Sequence, residues 1–138
     1  MIITKKIVDA LTYEIIGAAI EVHKILGAGL LESVYEKCLI QELSLRDLKI
    51  KSQLYVPINY KGLKVEADLK LDLLVEDLIA VELKAVEKFA GLHFAQTLSY
   101  MQLLQKPKGV LLNFCCTNIV KEGQKTFVNE YYSLLPNG

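Results

Sequence analysis

The chain has 138 residues, of which 52% are hydrophobic, and its sixteen basic and sixteen acidic side chains balance. This length predicts a single domain spanning residues 1–138, large enough to bury an ordinary hydrophobic core. The balanced charge argues against general affinity for nucleic acid, which usually goes with a basic excess, but it permits a local basic groove.

The cysteines and residues 1–29 indicate the cellular compartment of the protein. Cys38, Cys115 and Cys116 are odd in number and form no CxxC pair, so we expect buried free thiols in a reducing compartment. Residues 1–29 lack the pattern of a signal peptide. The most apolar stretch, 15–31, is interrupted by charged residues, which argues against a membrane span. The sequence therefore predicts a cytoplasmic protein with no membrane partner.

Two helices are predicted first. Apolar residues at helical spacing run from Thr4 to the Gly27–Gly29 turn, and a second helix is predicted from Leu31 to about Asp47. The inward positions of the second helix are predicted to be Val34, Cys38, Leu39, Leu43 and Leu45.

Strands dominate the rest of the chain. They are predicted at 50–60, 63–75, 78–85, 110–115 and 125–132. Pro57 marks an edge or a bulge, and the run at 110–115 suits a strand buried on both faces. One helix is predicted over 88–105. The predicted fold is therefore α/β, with a central mixed sheet flanked by helices and a three-stranded meander extended across a crossover helix.

The central hairpin carries charged side chains among apolar ones. A turn about Asp77 sets Asp72 opposite Glu82, and Lys84 shares a face with Glu82 because side chains two apart on a strand point the same way. Unpaired charges are costly on an apolar sheet. A divalent metal ion accounts for such a set, but so does a cross-strand salt bridge of Lys84 with either acid. The hairpin alone leaves both explanations open.

Two helices add polar residues. Glu32 lies in the first turn of the second helix, where the helix dipole favours an acid, and helical spacing places Tyr35 and Glu36 on the same side. A solvated acidic stripe explains this pattern equally well. On the helix after the hairpin, His93, Gln96 and Tyr100 line one stripe, which an exposed polar face also explains.

Together these motifs resemble the bacterial GxxExxY proteins, through the spacing of Gly29, Glu32 and Tyr35 and through further segments. The resemblance covers roughly residues 10 to 130 and continues in Val56–Gly62, Asp72–Glu76, Val81–Ala85, His93–Gln96 and Leu111–Phe114. That family is grouped with the PD-(D/E)xK nuclease-like superfamily, which implies a restriction-endonuclease-like core.

The resemblance also implies roles for individual residues. Asp72 and Glu82 match the two acids of the superfamily motif, and Lys84 matches its lysine. Glu32 matches a helical glutamate that some superfamily nucleases add to the metal site. Gln96 and Tyr100 match a Gln-x-x-x-Tyr helix of exonuclease-like branches. The implied catalytic set is Asp72, Glu82, Lys84, Glu32, Gln96 and Tyr100.

The implied cofactor is Mg²⁺ or Mn²⁺, held by Asp72, Glu82, Glu32 and the carbonyl of Leu83, since hard ions take oxygen ligands. Acids that close together predict raised pKa values. Lys70 stands where the family has arginine, which keeps the charge but loses bidentate geometry.

The expected function is metal-dependent hydrolysis of phosphodiester bonds in DNA or RNA. The basic residues available for phosphate are Lys70, Lys84, Lys88, Lys106 and Lys108. They are few and not interleaved with aromatic residues in the sequence, which favours short, single-stranded or end-containing substrates.

Two alternatives remain open. One is a catalytically silent protein-interaction or nucleic-acid-binding module, possibly a homodimer through Ile15, Ile16, Ala19 and Ile20 of the first helix. The other is a different hydrolase or a small-molecule binder that uses the same acids. The absence of a Gly-rich phosphate loop, of GxSxG and of HExxH argues against nucleotide kinases, serine hydrolases and zinc peptidases.

Overall fold

A computed structural model describes the whole chain, residues 1–138. It begins with two helices, α1 (Lys5–Leu26) and α2 (Glu32–Leu45). The Thr4 side chain caps α1 by accepting a hydrogen bond from the Ile7 amide at 3.1 Å. Gly27 follows the helix with φ 71°, a conformation that suits glycine. Both predicted helices are therefore confirmed to within a few residues at their ends.

The inward face of α2 differs from the prediction. The buried residues are Tyr35, Leu39 and Leu43, which recur every four positions, whereas Val34 and Leu45 are exposed and Cys38 is half-buried. The helix turns this face inward because the Tyr35 ring stacks on Phe114, with ring centroids 4.5 Å apart.

Seven strands and three further helices complete the fold. The strands are β1 (Ile50–Tyr55), β2 (Ile58–Tyr60), β3 (Leu63–Val65), β4 (Lys70–Val75), β5 (Ile79–Lys84), β6 (Lys108–Asn113) and β7 (Gln124–Val128). The helices are α3 (Gly91–Leu104), α4 (Ile119–Glu122) and α5 (Glu130–Ser133). Five strands form one sheet in the order β1-β4-β5-β6-β7, in which only β5 and β6 are parallel neighbours. The α/β class, with a mixed sheet flanked by helices and a crossover through α3, is confirmed.

Two predicted strands are each divided. The stretch 50–60 breaks at Val56 and Pro57 into β1 and β2, and the stretch 63–75 breaks at 66–69 into β3 and β4. The strands β2 and β3 pair only with each other in a small separate sheet. The last predicted strand ends at Val128, because the Asn129 side chain accepts hydrogen bonds from two following amides and starts α5.

The central hairpin has the predicted register. Leu73 pairs with Val81 and Leu74 with Ala80, on strands joined by a tight turn. Three residues, 76–78, connect the strands, and the Leu78 amide donates to the Val75 carbonyl at 3.0 Å. The two central residues of this turn, Glu76 and Asp77, have φ values of 51° and 57°, the sign that a type I′ turn requires at both positions.

The sheet separates two hydrophobic clusters. One face packs under α1 and α2, where Leu73, Val81 and Leu83 are fully buried. The other face packs under α3, where Leu74 and Ala80 meet Tyr100 and Met101.

The first helix uses its apolar face inside the molecule. Ile15 and Ala19 are completely buried in the first cluster and Ile16 packs against it, so only Ile20 of the four residues considered for a dimer contact is exposed. The predicted dimer face is therefore wrong, because those side chains build the chain's own core.

The three cysteines are free, as expected, but they are half-buried rather than buried. No helix combines the length and the apolar character needed to cross a membrane.

Candidate active site

The two acids of the hairpin lie where β4 and β5 stop pairing regularly. Beyond the Leu73–Val81 pair, the Asp72 amide donates to Glu82 Oε1 at 2.9 Å, and the Leu83 amide donates to Asp72 Oδ2 at 2.9 Å. Each carboxylate thus accepts a hydrogen bond from the backbone of the opposite strand. This reciprocal arrangement fixes both side chains at the point where the strands diverge.

The neighbouring strand β1 is also irregular here. Gln53 has a positive φ of 49° and no pairing partner, although the residues on both sides of it pair with β4. Its side-chain amide donates to Glu36 Oε1 at 2.7 Å and to Asp72 Oδ1 at 3.3 Å. Gln53 therefore links Glu36 of α2 to Asp72 of β4. The predicted catalytic set included neither Gln53 nor Glu36.

Four carboxyl groups meet at this point: Glu32, Glu36, Asp72 and Glu82, which we call the acid cluster. Burial, together with the charge of Asp72, raises the pKa of Glu82 to about 8. The same two causes raise the pKa values of Glu32 and Glu36 above the usual range. The expected rise is thus present for Glu32 and Glu82, and Glu36 shares it.

Lys84 is the one lysine whose positive charge acts on the acids of the cluster. It lowers the pKa values of Glu32 and Glu82, which partly offsets the effects of burial and of Asp72. It takes part in none of the five salt bridges. The cross-strand salt bridge considered for Lys84 is therefore not formed, and its ammonium group lies near the acids without a direct protein partner.

Helix α3 approaches the cluster from the other face of the sheet. The Gln96 amide donates to the Tyr100 hydroxyl at 3.2 Å. Burial raises the pKa of Tyr100, the hydrogen bond from Gln96 opposes this rise, and the charges of Glu82 and Asp72 add to it. Tyr100 is buried rather than part of an exposed stripe. His93 has a different role, because its Nδ1 accepts the Ala90 amide at 3.0 Å and caps the helix.

Comparison with protein families decides what kind of fold holds this site. The model of the PD-(D/E)XK nuclease superfamily matches residues 9–127 of the chain. The chain belongs to the PD-(D/E)XK nuclease superfamily. Searches of curated proteins and of solved structures give no match. The narrower resemblance to the GxxExxY proteins stays a prediction.

PD-(D/E)XK nucleases generally depend on a divalent metal ion, so the donor set must be tested against one. No group of three or more His, Cys, Asp or Glu side chains is arranged in this structure so that it could hold a metal ion. The chemistry of the acid cluster nevertheless fits a hard cation, since carboxylate oxygens are the ligands that Mg²⁺ and Mn²⁺ prefer. Four acids share a single lysine there, and the buried Glu82 is held protonated up to about pH 8 by its surroundings.

The lysines predicted to contact phosphate do not all lie near the acid cluster. Lys106 pairs with Asp77 at 3.1 Å and Lys108 with Asp9 at 3.9 Å. Lys108 is next to Ile79, at the opposite end of β5 from Lys84. Two of the five lysines predicted to contact phosphate therefore lie at the end of the sheet away from the acid cluster. The reason is that β6 runs parallel to β5 and begins beside Ile79.

Tyr35 does not line the acid cluster either. Its hydroxyl donates to the Gly27 carbonyl at 2.6 Å and accepts the Leu30 amide at 3.1 Å. It therefore fixes the loop that leads into Glu32 at the start of α2. The expectation that Tyr35 projects with Glu32 and Glu36 is wrong, because its ring fills the core beneath them.

Removing this hydroxyl tests its structural role. We expect Tyr35→Phe to lower the free energy of unfolding by about 1–3 kcal/mol, since two backbone groups lose their partner while the stacked ring remains. Urea unfolding followed by circular dichroism measures the change. Tyr13→Phe on the exposed face of α1 is the matched control and should have no effect. Equal stability of the two variants would contradict the role.

Proposed function

We propose that this protein is a metal-dependent nuclease that hydrolyses phosphodiester bonds of DNA or RNA at the acid cluster. The proposal rests on the hydrogen bonds that Asp72 and Glu82 each accept from a backbone amide of the opposite strand. Lys84, whose charge acts on Glu82, forms no salt bridge. Structural salt bridges do not require this arrangement, whereas positioning of a cation and a phosphate does. Membership of the superfamily supports the same activity.

In this proposal Asp72, Glu82 and Glu32, with the Leu83 carbonyl, hold Mg²⁺ or Mn²⁺. When bound, such an ion polarises the scissile phosphate and lowers the pKa of water. The Leu83 amide already fixes one oxygen of Asp72, so the neighbouring carbonyl is held in place with it.

The remaining residues act on the substrate and on the acids. Lys84 orients the attacking water and offsets the negative charge that grows on the phosphate. Gln96 and Tyr100 position the sugar-phosphate backbone from α3. Glu36, through Gln53, keeps Asp72 in the orientation that leaves it available.

Cleavage assays test the proposal. Labelled single- and double-stranded DNA and RNA are incubated with Mn²⁺ or with EDTA, for the natural protein and for Glu82→Ala. We expect metal-dependent loss of at least one substrate with the natural protein alone. Survival of all four substrates, or equal cleavage by the variant, would overturn the proposal.

Metal binding is expected to change stability as well. Mg²⁺ or Mn²⁺ at about 100 times its dissociation constant adds roughly 2.7 kcal/mol, which corresponds to several degrees in Tm. We expect Asp72→Asn to abolish this increase. Asp77→Asn, at the opposite end of the hairpin, is the control and should keep it. The same increase in all three proteins would remove the metal site from the proposal.

The two measurements together separate the nuclease from a silent binding module of the same fold. A metal-dependent rise in Tm without cleavage of any nucleic acid would favour the silent module. A rise in Tm together with cleavage supports the nuclease.

A further inference from the structure

The segment 55–70, which we call the wing, extends the sheet beyond the acid cluster. It contains β2 and β3, and the bond from the Val56 amide to the Leu69 carbonyl, at 2.9 Å, continues the ladder of β1 and β4 into it. None of the proposed catalytic residues lies in this segment.

The wing exposes two tyrosines, each with a lysine over its ring. Tyr55 and Tyr60 are 64% and 60% exposed, although large aromatic side chains are usually buried. Lys70 Nζ lies 5.0 Å from the centroid of the Tyr55 ring, and Lys61 Nζ lies 5.4 Å from that of Tyr60. Lysines here are thus interleaved with aromatic rings in space, contrary to the expectation from the sequence. Each lysine restrains its ring and adds positive charge beside an exposed aromatic surface.

A groove begins at the first of these tyrosines, Tyr55, and extends along the wing. It has a volume of ≈ 540 Å³ and runs between Tyr55–Pro57 and Lys64–Asp68. Tyr55 is the cross-strand partner of Lys70, which precedes Asp72 by two residues on β4. The first ring therefore lies roughly 7 Å along the strand from the acid cluster. A chain that enters the cluster can pass directly onto the wing.

We propose that the wing binds a nucleic-acid single strand, with bases stacked on Tyr55 and Tyr60 and phosphates beside Lys61, Lys64 and Lys70. The inference rests on the proposed function, since it identifies the strand as the substrate of the acid cluster.

The charge of the wing favours a single strand over a duplex. Its three lysines are nearly balanced by Glu66 and Asp68, and Asp68 lies 3.8 Å from Lys70. A duplex relies on many phosphate contacts and hides the faces of its bases, whereas a single strand offers those faces for stacking. Two open rings with a small positive excess suit the single strand.

A second copy of the chain fits the wing less well. Edge strands that avoid pairing with other chains often carry lysines. Lys64 lies on β3, and Lys61 lies in the turn that joins β2 to β3. Those charges would also repel one another across a two-fold contact.

Binding without turnover tests the inference. Fluorescence anisotropy with a labelled single-stranded oligonucleotide in EDTA measures the affinity of the natural protein, Tyr55→Ala, Tyr60→Ala and the double variant. One stacked base is worth about 1–3 kcal/mol, so each single variant should bind about 5- to 150-fold more weakly. Tyr13→Ala, which removes an exposed tyrosine from α1, is the matched control and should bind as the natural protein does. Circular dichroism verifies that all variants are folded.

An abasic strand separates stacking from phosphate contact. We expect the natural protein to bind it about as weakly as the double variant binds the ordinary strand. Unchanged affinity in the tyrosine variants, no preference for bases over the abasic strand, or no binding of any strand would overturn the inference. A change in sedimentation of the tyrosine variants with unchanged strand affinity would do the same and would identify the wing as a contact between copies.

The result is independent of the nuclease proposal, because cleavage is not measured. Loss of binding in the variants, from a protein that cleaves nothing, supports the wing and contradicts the proposed function. Cleavage with unaltered strand affinity in the variants gives the opposite result.

Discussion

Lys84→Ala is expected to lower the rate of nucleic-acid cleavage about 100- to 1000-fold, the usual effect of removing one charge-stabilising contact from a transition state. Its ammonium group is the one cation that lowers the pKa of both Glu32 and Glu82, and it forms no salt bridge whose loss would unfold the protein. Initial rates on the best substrate of the cleavage assay, at saturating metal ion, measure the effect.

A second lysine provides the control. Lys106 is paired with Asp77 at the other end of the hairpin, so Lys106→Ala should leave the rate within about twofold, as expected for an exposed surface pair. Equal activity of the two variants would show that Lys84 has no role in turnover.

The metal-dependent rise in Tm distinguishes a catalytic role from a collapsed site. Lys84→Ala should retain this rise, because the lysine is not a ligand and its removal takes away a positive charge that repels the metal ion. Loss of both the rise and the activity would instead show that Lys84 holds the cluster together.

Much of the central hairpin follows from local rules. Its turn residues and the two-residue alternation of strands fix which side chains share a face, and they pair Leu73 with Val81 as predicted. The prediction placed Asp72 opposite Glu82 for the same reason. The prediction did not include the end of regular strand pairing at these two acids. There the backbone amides of Asp72 and Leu83 donate to side-chain carboxylates instead of to backbone carbonyls.

The contribution of Glu36 was not predictable from sequence spacing. It depends on Gln53, which adopts a positive φ of 49° although it is not glycine, and thereby turns its amide between α2 and β4. Helical spacing alone grouped Glu36 with Tyr35, whereas packing against Phe114 separates them. Contacts between distant segments decided both outcomes.

Glu82→Gln is expected to stabilise the metal-free protein at about pH 8 while abolishing cleavage. Burial and the neighbouring Asp72 raise the pKa of Glu82 from 4.5 to about 8. A carboxyl group with a raised pKa binds more protons in the folded than in the unfolded state between these two values. The stability of the metal-free natural protein should therefore decrease as the pH rises through that range.

The change is measured by urea unfolding in EDTA at several pH values. Between about pH 5 and pH 8 we expect the natural protein to lose about 1–3 kcal/mol, less than the full shift implies because the unpaired charge draws in water and counter-ions. Glu82→Gln should show a flatter profile and be the more stable protein at the upper end, since its amide keeps the shape of the side chain without ionising. The exposed Glu87→Gln should follow the natural profile.

A divalent ion should reverse the order of stability. Metal ions bind the deprotonated carboxylate, so Mg²⁺ should stabilise the natural protein more strongly as the pH rises toward about 8, and it should not stabilise Glu82→Gln. Repulsion among the carboxylates would then lower the stability of the metal-free protein, and a bound cation would remove this repulsion. Such a loss of stability is expected of a site selected for activity rather than for folding. A natural protein whose metal-free stability is constant across this range, or a glutamine variant that is less stable at its upper end, would show that Glu82 belongs to the structural framework instead.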